Sequence, residues 1–396
     1  MEEWKEYKLG DFMDFNPNIK LAKHTLARKI TMDQLIPHCR DIYSWTYEPY
    51  SGGTKFENGD TIMARITPCL ENGKHAFVSC LEKNEVAYGS TDYIVMRGRK
   101  GVSDNYFVYY LSRFQHFKDA AIKSMVGTSG RQRAQVDVLK NLRLRLPAIF
   151  EQKKIASVLS FLDDKIDCNR RINDNLEQQA QALFKSWFVD FEPFKDGEFV
   201  ESELGLIPKG WRVGKLHEIA DITMGVSPSG KSYNTNGQGD VFYQGRAEFS
   251  FRFPKRNLFT TEAKRFADVD TVLVSVRAPV GDINVAEERC CIGRGLASVE
   301  AKNKCNSFIL YLLQSLRPVF DKYNGEGTVF GSINKKTFEE IPIIIPEEYV
   351  IQDFESVAHS FDCQIKNKEV ESRRLAQLRD TLLPKLMSGE LKISEL

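Results

Sequence analysis

One segment of the sequence fits a phosphate-binding motif in full. Residues 225–232 read Gly-Val-Ser-Pro-Ser-Gly-Lys-Ser, which matches the loop G-x-x-x-x-G-K-[ST]. That motif needs a helix directly after its lysine, because the N-terminal amides of the helix bind the phosphates. Here Lys231 and Ser232 precede a turn-forming stretch at 233–240, and Pro228 lacks an amide donor. We therefore predict a surface loop, with a nucleotide hydrolase using Lys231 and Ser232 as the alternative enzyme function.

Other catalytic or metal-binding patterns are missing from the sequence. It contains no G-x-S-x-G, H-E-x-x-H or G-x-G-x-x-G motif. The six histidines show no metal-ligand spacing, and the eight cysteines form no Cys-x-x-Cys pair. The sequence therefore predicts a non-catalytic protein without a metal site. The cysteine pattern is typical of a reducing compartment, which indicates the cytoplasm.

A further set of residues has the chemistry to contact nucleic acid, because arginine can bond guanine twice and asparagine or glutamine can bond adenine twice. These residues lie beside glycine, amide or aromatic neighbours in predicted loops, and a solvated surface charge is the alternative for each one alone. The candidates in the first half of the chain are Arg65, Lys74, Arg131, Gln132 and Arg133. The candidates in the second half are Lys231, Tyr233, Asn234, Gln244, Arg246, Arg277 and Arg294.

The formal charge alternates along the chain. Residues 1–147 carry +5 and residues 201–346 carry +2, whereas 148–200 and 347–396 each carry −3. Binding to a polyanion needs a positive face rather than a positive chain, so the two basic segments are the ones expected to contact DNA. Ordinary variation of surface charge is the alternative.

The two basic segments repeat one another, which indicates a duplicated module. The matching pairs are Trp4-Lys5 with Trp211-Arg212, Asp60-Thr61-Ile62-Met63 with Asp270-Thr271-Val272-Leu273, and Gly127-Thr128 with Gly327-Thr328. Each copy has β-branched, strand-like runs and a helix-like stretch. The fold class predicted is α+β, with two similar mixed α/β domains separated by two long antiparallel helices and related by an internal pseudo-twofold repeat.

The long helices are predicted from apolar residues at alternating spacings of four and three after Pro147 and Pro346. The apolar seam of the first helix comprises Ile155, Leu159, Leu162, Ile166, Leu176 and Leu183. The seam of the second comprises Phe354, Phe361, Ile365, Leu375 and Leu382, and equivalent positions differ by 199 residues. A helix of about 35–40 residues is roughly 50–60 Å long, which suits a spacer between two domains.

Both seams become polar at the middle, with Asn169 and Asn173 in the first and Lys368 and Ser372 in the second. If the helices are antiparallel, these residues face one another. They then either fix the register of the pair or mark a solvated gap in it.

The segments expected are a first recognition domain at 1–147, a spacer helix at 148–190 and an exposed linker at 191–204. A second recognition domain follows at 205–346, and the second spacer helix with a C-terminal element at 347–396. The charged N-terminal residues lack the apolar stretch of a secretory signal, and no run of about 18 apolar residues predicts a membrane span.

Four sequence elements in this order resemble the specificity (S) subunit of type I restriction–modification systems over essentially the whole chain. They are Leu146-Pro147…Glu151-Gln152…Ile155…Leu159, then Trp187–Pro193, Ser202–Trp211 and Leu382–Leu391. One departure is that the second helix opens with Val350-Ile351-Gln352 and lacks the Glu-Gln pair in register.

The resemblance implies that each recognition domain binds one half of a bipartite double-stranded DNA target. It implies that the helices set the spacer and dock two modification (M) subunits, which restriction (R) subunits then join. S-adenosylmethionine, Mg²⁺ and ATP are expected on those partner subunits, and no cofactor is expected on this chain. A coiled-coil scaffold without a nucleic-acid role is the remaining alternative.

Overall fold

The structure, a computed structural model, describes residues 4–324 and 331–393. By its internal contacts the chain divides into two units, one comprising Met1–Asn169 with Val370–Leu396 and the other Arg170–Glu369. Each unit holds one of the two predicted domains and one half of each long helix. Gly327-Thr328, one half of a predicted repeat pair, lies outside the described residues.

The first domain is built on two four-stranded sheets. One is antiparallel, in the order Met13–Phe15, Tyr93–Gly98, Thr61–Ala64, His75–Phe77. The other is mixed, in the order Thr46–Pro49, Leu26–Ile30, Ala87–Gly89, Thr54–Phe56, and its two central strands are parallel. The helices are Leu9–Phe12, Asn105–Arg113, Gln115–Lys123 and Val136–Asn141, with a 3-10 turn at Met32–Gln34. Lys5–Lys8 pairs with Arg143–Leu146 and so closes the domain just before Pro147.

The second domain repeats this topology. Its antiparallel sheet has the order Ala220–Met224, Leu296–Ala301, Val272–Ser275, Ile283–Val285. Its mixed sheet has the order Tyr233–Asn234, Phe259–Thr260, Asp240–Tyr243, Cys290–Ile292, Phe266–Ala267, again with a parallel central pair. The helices are Leu216–Ile219, Asn306–Ser315, Arg317–Asp321 and Lys335–Glu339, with 3-10 turns at Gly230–Ser232 and Arg246–Glu248. Arg212–Lys215 pairs with Pro342–Ile345 before Pro346.

The two long helices are Ile149–Phe188 and Glu348–Ser388. In the first unit, Ile155 and Leu159 near the start of one helix share a core with Leu386 near the end of the other. In the second unit, Phe188 near the end of the first helix contacts Phe354 near the start of the second, with ring centroids 5.2 Å apart. The helices therefore run antiparallel within each unit. The predicted α+β fold with two similar domains and two long helices is confirmed.

The seam residues are all at least half-buried in their own unit. The buried members are Ile155, Leu159, Leu162, Leu176, Phe354 and Ile365, and the half-buried members are Ile166, Leu183, Phe361, Leu375 and Leu382. The apolar surface is wider than the predicted seam, since Phe184 and Leu383 are also buried. Phe184 packs on both the second domain and the opposing helix, with its ring centroid 5.8 Å from that of Phe308 and 5.6 Å from that of Phe354.

The polar middle of the seam is bonded rather than solvated. Asn169 and Asn173 are 0% and 1% exposed. In the first unit Asn169 Nδ2 donates to Glu371 Oε2 at 3.0 Å and to Ser372 Oγ at 3.3 Å. In the second unit Asn173 Nδ2 donates to Glu369 Oε1 at 3.1 Å. These bonds favour a role in fixing register over a solvated gap, because one step along either helix breaks them.

The segment predicted as an exposed linker, 191–204, is partly structured. It contains a 3-10 turn at Glu192–Phe194, and its boundary at 204 falls inside a hairpin of Phe199–Ser202 with Gly205–Pro208. Phe194 packs against Trp211, with ring centroids 4.9 Å apart, because these aromatic side chains bury apolar area next to the domain core. None of the helices in the described part of the chain combines the length and apolarity needed to span a bilayer.

Candidate nucleic-acid interface

The loop with the phosphate-binding motif does not have the geometry of a nucleotide site. Gly230–Ser232 forms a 3-10 turn, and the strand Tyr233–Asn234 follows it directly. Ser232 is buried, and its Oγ donates to the Ser229 carbonyl oxygen at 2.7 Å and lies 2.8 Å from Thr260 Oγ1. As predicted, no α-helix begins after Lys231 to direct amides at a phosphate. Within residues 4–324 and 331–393, no group of three His, Cys, Asp or Glu side chains could hold a metal ion.

Backbone hydrogen bonds bring most of the first-domain candidates together at one place, which we call the first edge: residues 65–67, 90–92 and 131–134. The amide of Arg65 donates to the Asp92 carbonyl oxygen at 2.9 Å, and that of Thr67 donates to the Gln132 carbonyl oxygen at 3.0 Å. The amide of Ala134 donates back to the Arg65 carbonyl oxygen at 2.8 Å. The first edge therefore carries Arg65, Arg131, Gln132 and Arg133.

The side chains of these candidates differ in what they are bonded to. Arg133 binds Asp92 through two contacts, Nε to Oδ1 at 2.6 Å and Nη2 to Oδ2 at 3.2 Å. This carboxylate raises the pKa of the Arg133 guanidinium above its ordinary value. Lys74 Nζ donates to the Met32 carbonyl oxygen at 2.6 Å, so it stabilises the fold locally. Arg131 is exposed, and Arg65 and Gln132 are half-buried, with Arg65 Nε lacking a hydrogen-bond partner within the described residues. These three are therefore the stronger DNA-contact candidates of the first edge.

The second domain builds the corresponding place, the second edge, from residues 227, 244, 276–278 and 293–295. The amide of Val276 donates to the Gly295 carbonyl oxygen at 2.9 Å, as that of Arg65 does to Asp92. The Arg294 amide donates to Ser227 Oγ at 3.2 Å, which joins the 225–232 loop to this edge. Gln244, Arg277 and Arg294 are all exposed here.

Glycine is required at two positions of the second edge. A Cβ atom on Gly293 would lie 2.9 Å from the Gln244 Cα, and one on Gly295 would lie 2.8 Å from the Gln244 carbonyl oxygen. The close approach of these two backbone segments is what brings Gln244 beside Arg294.

The other second-domain candidates are mostly bonded within the protein. Asn234 uses both ends of its amide on the backbone of Gln238, at 2.8 and 2.9 Å. The Tyr233 hydroxyl donates to the Pro228 carbonyl oxygen at 3.1 Å, and Arg246 Nε lies 2.7 Å from Asp282 Oδ2. Lys231 is exposed on the 225–232 loop.

The two edges are one backbone arrangement carrying different side chains. An arginine and an amide side chain occur together at each, which supplies donors for guanine and paired donor and acceptor groups for adenine. Sequence reasoning missed the turns at 90–92 and 293–295. They share no residue pattern, and only the backbone hydrogen bonds show that they are equivalent.

Comparisons with known proteins agree with this duplicated arrangement. The family model described as type I restriction modification DNA specificity domain matches residues 1–178 and again 208–359. A protein of Methanocaldococcus jannaschii, provisionally named type I restriction enzyme MjaX specificity subunit, is 32% identical, with 99% of this chain and 94% of that protein covered. The HindI specificity subunit of Haemophilus influenzae is 26% identical, with 99% of this chain and 100% of that protein covered.

A solved structure shares the fold. It is the type I restriction-modification system S subunit from M. genitalium, with a TM-score of 0.57 at 17% identity, covering 98% of this chain and 96% of that one.

Proposed function

Because the chain belongs to the type I restriction modification DNA specificity family, we propose that it recognises a bipartite DNA target, one half with each domain. The observation that carries this proposal is the repetition of one edge in two domains with different side chains. The two edges share one backbone arrangement but differ in side chains, which suits two half-sites of unlike sequence. The first edge carries Arg131 and Gln132, and the second carries Gln244, Arg277 and Arg294.

We assign the spacer function to the helices Ile149–Phe188 and Glu348–Ser388. The hydrogen bonds of Asn169 and Asn173 to the opposing helix favour one register of the helix pair. A fixed register supports a fixed distance between the two half-sites. The net negative charge of both helical segments disfavours DNA and suits protein partners.

Two M subunits docked on the helices, with R subunits bound through them, complete the proposed complex. The chain itself is proposed to be non-catalytic, while S-adenosylmethionine, Mg²⁺ and ATP bind the partner subunits. Its eight cysteines are free thiols, which suits the cytoplasm, where its DNA lies.

The test is to map methylated DNA motifs in cells with and without the gene. The proposal predicts one two-part motif with a fixed, non-specific spacer that disappears with the gene. A continuous motif, or an unchanged methylation pattern, would contradict it.

Duplex binding by the assembled complex provides a second measurement that separates the other two functions. DNA affinity that falls steeply with salt supports phosphate contacts and excludes a scaffold without a nucleic-acid role. Nucleotide binding by the purified chain that is lost in Lys231→Ala would favour the hydrolase instead.

A further inference from the structure

Each unit contains a buried polar cluster in which a domain arginine and a domain tyrosine bind carboxylates of a long helix. The first cluster, the first anchor, is Arg40, Tyr110, Asp163, Asp164 and Arg379. The second cluster, the second anchor, is Arg252, Tyr311, Glu177 and Asp362. Arg40, Asp163, Arg252 and Arg379 are buried, whereas the Asp164 side chain is 65% exposed. Charged side chains are rarely buried unless they are paired, so the buried members need an explanation beyond surface charge.

In the second anchor one arginine joins the domain to both helices. Arg252 is 4% exposed, and its Nη1 lies 2.6 Å from Asp362 Oδ1 on the second helix. Its Nη2 contacts Glu177 on the first helix and also donates to the Tyr311 hydroxyl oxygen at 3.2 Å. The Tyr311 hydroxyl donates to the same Asp362 oxygen at 2.8 Å.

In the first anchor two arginines share this role. Arg40 Nη2 lies 3.0 Å from Oδ2 of the neighbouring Asp41 and 2.6 Å from Asp164 Oδ1 on the first helix. Its Nη1 donates to the Ser160 carbonyl oxygen at 3.3 Å. The Tyr110 hydroxyl donates to Asp163 Oδ2 at 2.6 Å, and Arg379 of the second helix binds the other oxygen of Asp163 at 2.5 Å. Burial raises the pKa of the Tyr110 and Tyr311 hydroxyls, so both remain donors at neutral pH.

The anchors are equivalent in the repeat. The carbonyl oxygens of Arg40 and Arg252 accept from the amides of Phe77 and Val285, which occupy matching positions on the sheet-edge strands, at 2.8 and 2.9 Å. Asp163 and Asp362 differ by 199 residues, the offset of the helical seams. Tyr110 and Tyr311 lie on the matching helices Asn105–Arg113 and Asn306–Ser315.

An apolar core already attaches each domain to its helices, so the polar clusters are not needed simply to hold the domain there. Apolar contacts are non-directional, whereas a guanidinium bonded to two carboxylates and a tyrosine fixes an angle. Resting on the proposed function, we propose that Arg40 with Tyr110, and Arg252 with Tyr311, are positioning residues that fix the orientation of each recognition domain on the helix pair. They thereby set the length of the DNA spacer that the protein accepts.

The test uses the complete methyltransferase complex and a library of its target with spacers of varied length. Arg252→Lys keeps the positive charge but replaces two guanidinium nitrogens, one facing each helix, with a single ammonium nitrogen. Tyr311→Phe removes one hydroxyl only. We expect both variants to weaken discrimination against spacers one base pair too long or too short by roughly tenfold, about 1.4 kcal/mol. The base preference within each half is expected to stay the same.

The matched control is Arg256→Lys, which changes an exposed arginine that follows Arg252 closely in sequence and pairs with Glu288. It should leave spacer preference unchanged. Unchanged spacer preference in both Arg252→Lys and Tyr311→Phe overturns the inference. So does an equal loss of methylation on every spacer, since that indicates a purely structural role. If wild-type complex shows no two-part target, the proposed function has failed instead.

Discussion

The arginines of the two edges are of two kinds: one kind forms an ion pair within the protein, and the other is exposed to solvent and could contact DNA. Arg133 binds Asp92 with two contacts, whereas Arg277 and Arg294 are exposed and have no ion pair within the described residues. A guanidinium bonded to a carboxylate has fewer donors left for a base edge. Residue type alone therefore does not identify a base-contacting arginine.

Arg277→Ala and Arg294→Ala are expected to relax base preference in one half of the target and to leave the other half unchanged. The expected loss is about 1–3 kcal/mol at the affected base pair, because each removes a side chain able to make a bidentate contact. Affinity for single-base variants of the target measures this. Arg289→Ala, a change at an exposed arginine stacked on Phe266, is the control. An equal loss for every target sequence would instead indicate phosphate contacts.

His75 gives the first domain a pH-dependent stability. Its ring is 3% exposed, and Nε2 has no hydrogen-bond partner within the described residues. Burial, aided by the charges of Arg113 and Lys118, lowers its pKa from 6.5 to about 3. The repeat has Ile283 at the matching position, so the fold does not require a histidine there.

As the pH falls, this histidine binds a proton in the unfolded chain near pH 6.5 but in the folded protein only near pH 3. Protonation therefore favours the unfolded chain, and the free energy of unfolding decreases as the pH falls below 6.5. We expect this histidine to lower the free energy of unfolding by about 2 kcal/mol between pH 7 and pH 5. His75→Leu should remove that part of the pH dependence in denaturant titrations, whereas His116→Leu, at an exposed position, should keep it. Identical pH profiles for wild type and His75→Leu would show that the buried ring does not titrate in this way.

The long helices combine an apolar seam with polar residues at the middle of that seam. Asn169 and Asn173 each bond the opposing helix within their own unit, although their Oδ1 atoms have no hydrogen-bond partner in the described part of the chain. Buried amides with one unsatisfied end cost stability. Fixing register is the gain that explains their presence.

Inserting one helical turn, four residues, after Asn169 and opposite it near Ser372 should lengthen the spacer that the complex accepts. Four residues add about 6 Å, and DNA phosphates are about 3.4 Å apart along a strand, so the increase should be one to two base pairs. Methylation of targets with graded spacers measures it. An insertion in one helix alone, the control, should abolish activity by breaking the pairing. An active double insertion with the original spacer preference would refute the spacer function.

The helices and the duplicated domains could be predicted from the sequence because their signals are periodic. The seam from Ile155 to Leu183 recurs 199 residues later, and each closing proline marks a change of pattern. Phe184 could not be placed, since its packing involves Phe308 of the domain as well as Phe354 of the opposing helix, and the seam spacing reports only on contacts between the helices. Arg40 and Asp164 are far apart in sequence, and only the folded chain brings them into contact.

The molecule as a whole is two copies of one unit with separate cores and separate edges. Among the described residues, the apolar clusters of the first unit are made of residues of that unit alone, so each domain has its own fold and its own anchor. Independent cores let the side chains of one edge change without altering the other. This independence makes recognition of the two half-sites separable.

Whether the two half-sites are recognised separately is tested by exchanging residues 1–147 for the equivalent domain of another specificity subunit and then mapping the methylated motif. We expect one half of the target to change to that of the donor protein, while the other half stays the same. Replacement of both halves, or of neither, in a complex that still methylates DNA would contradict it.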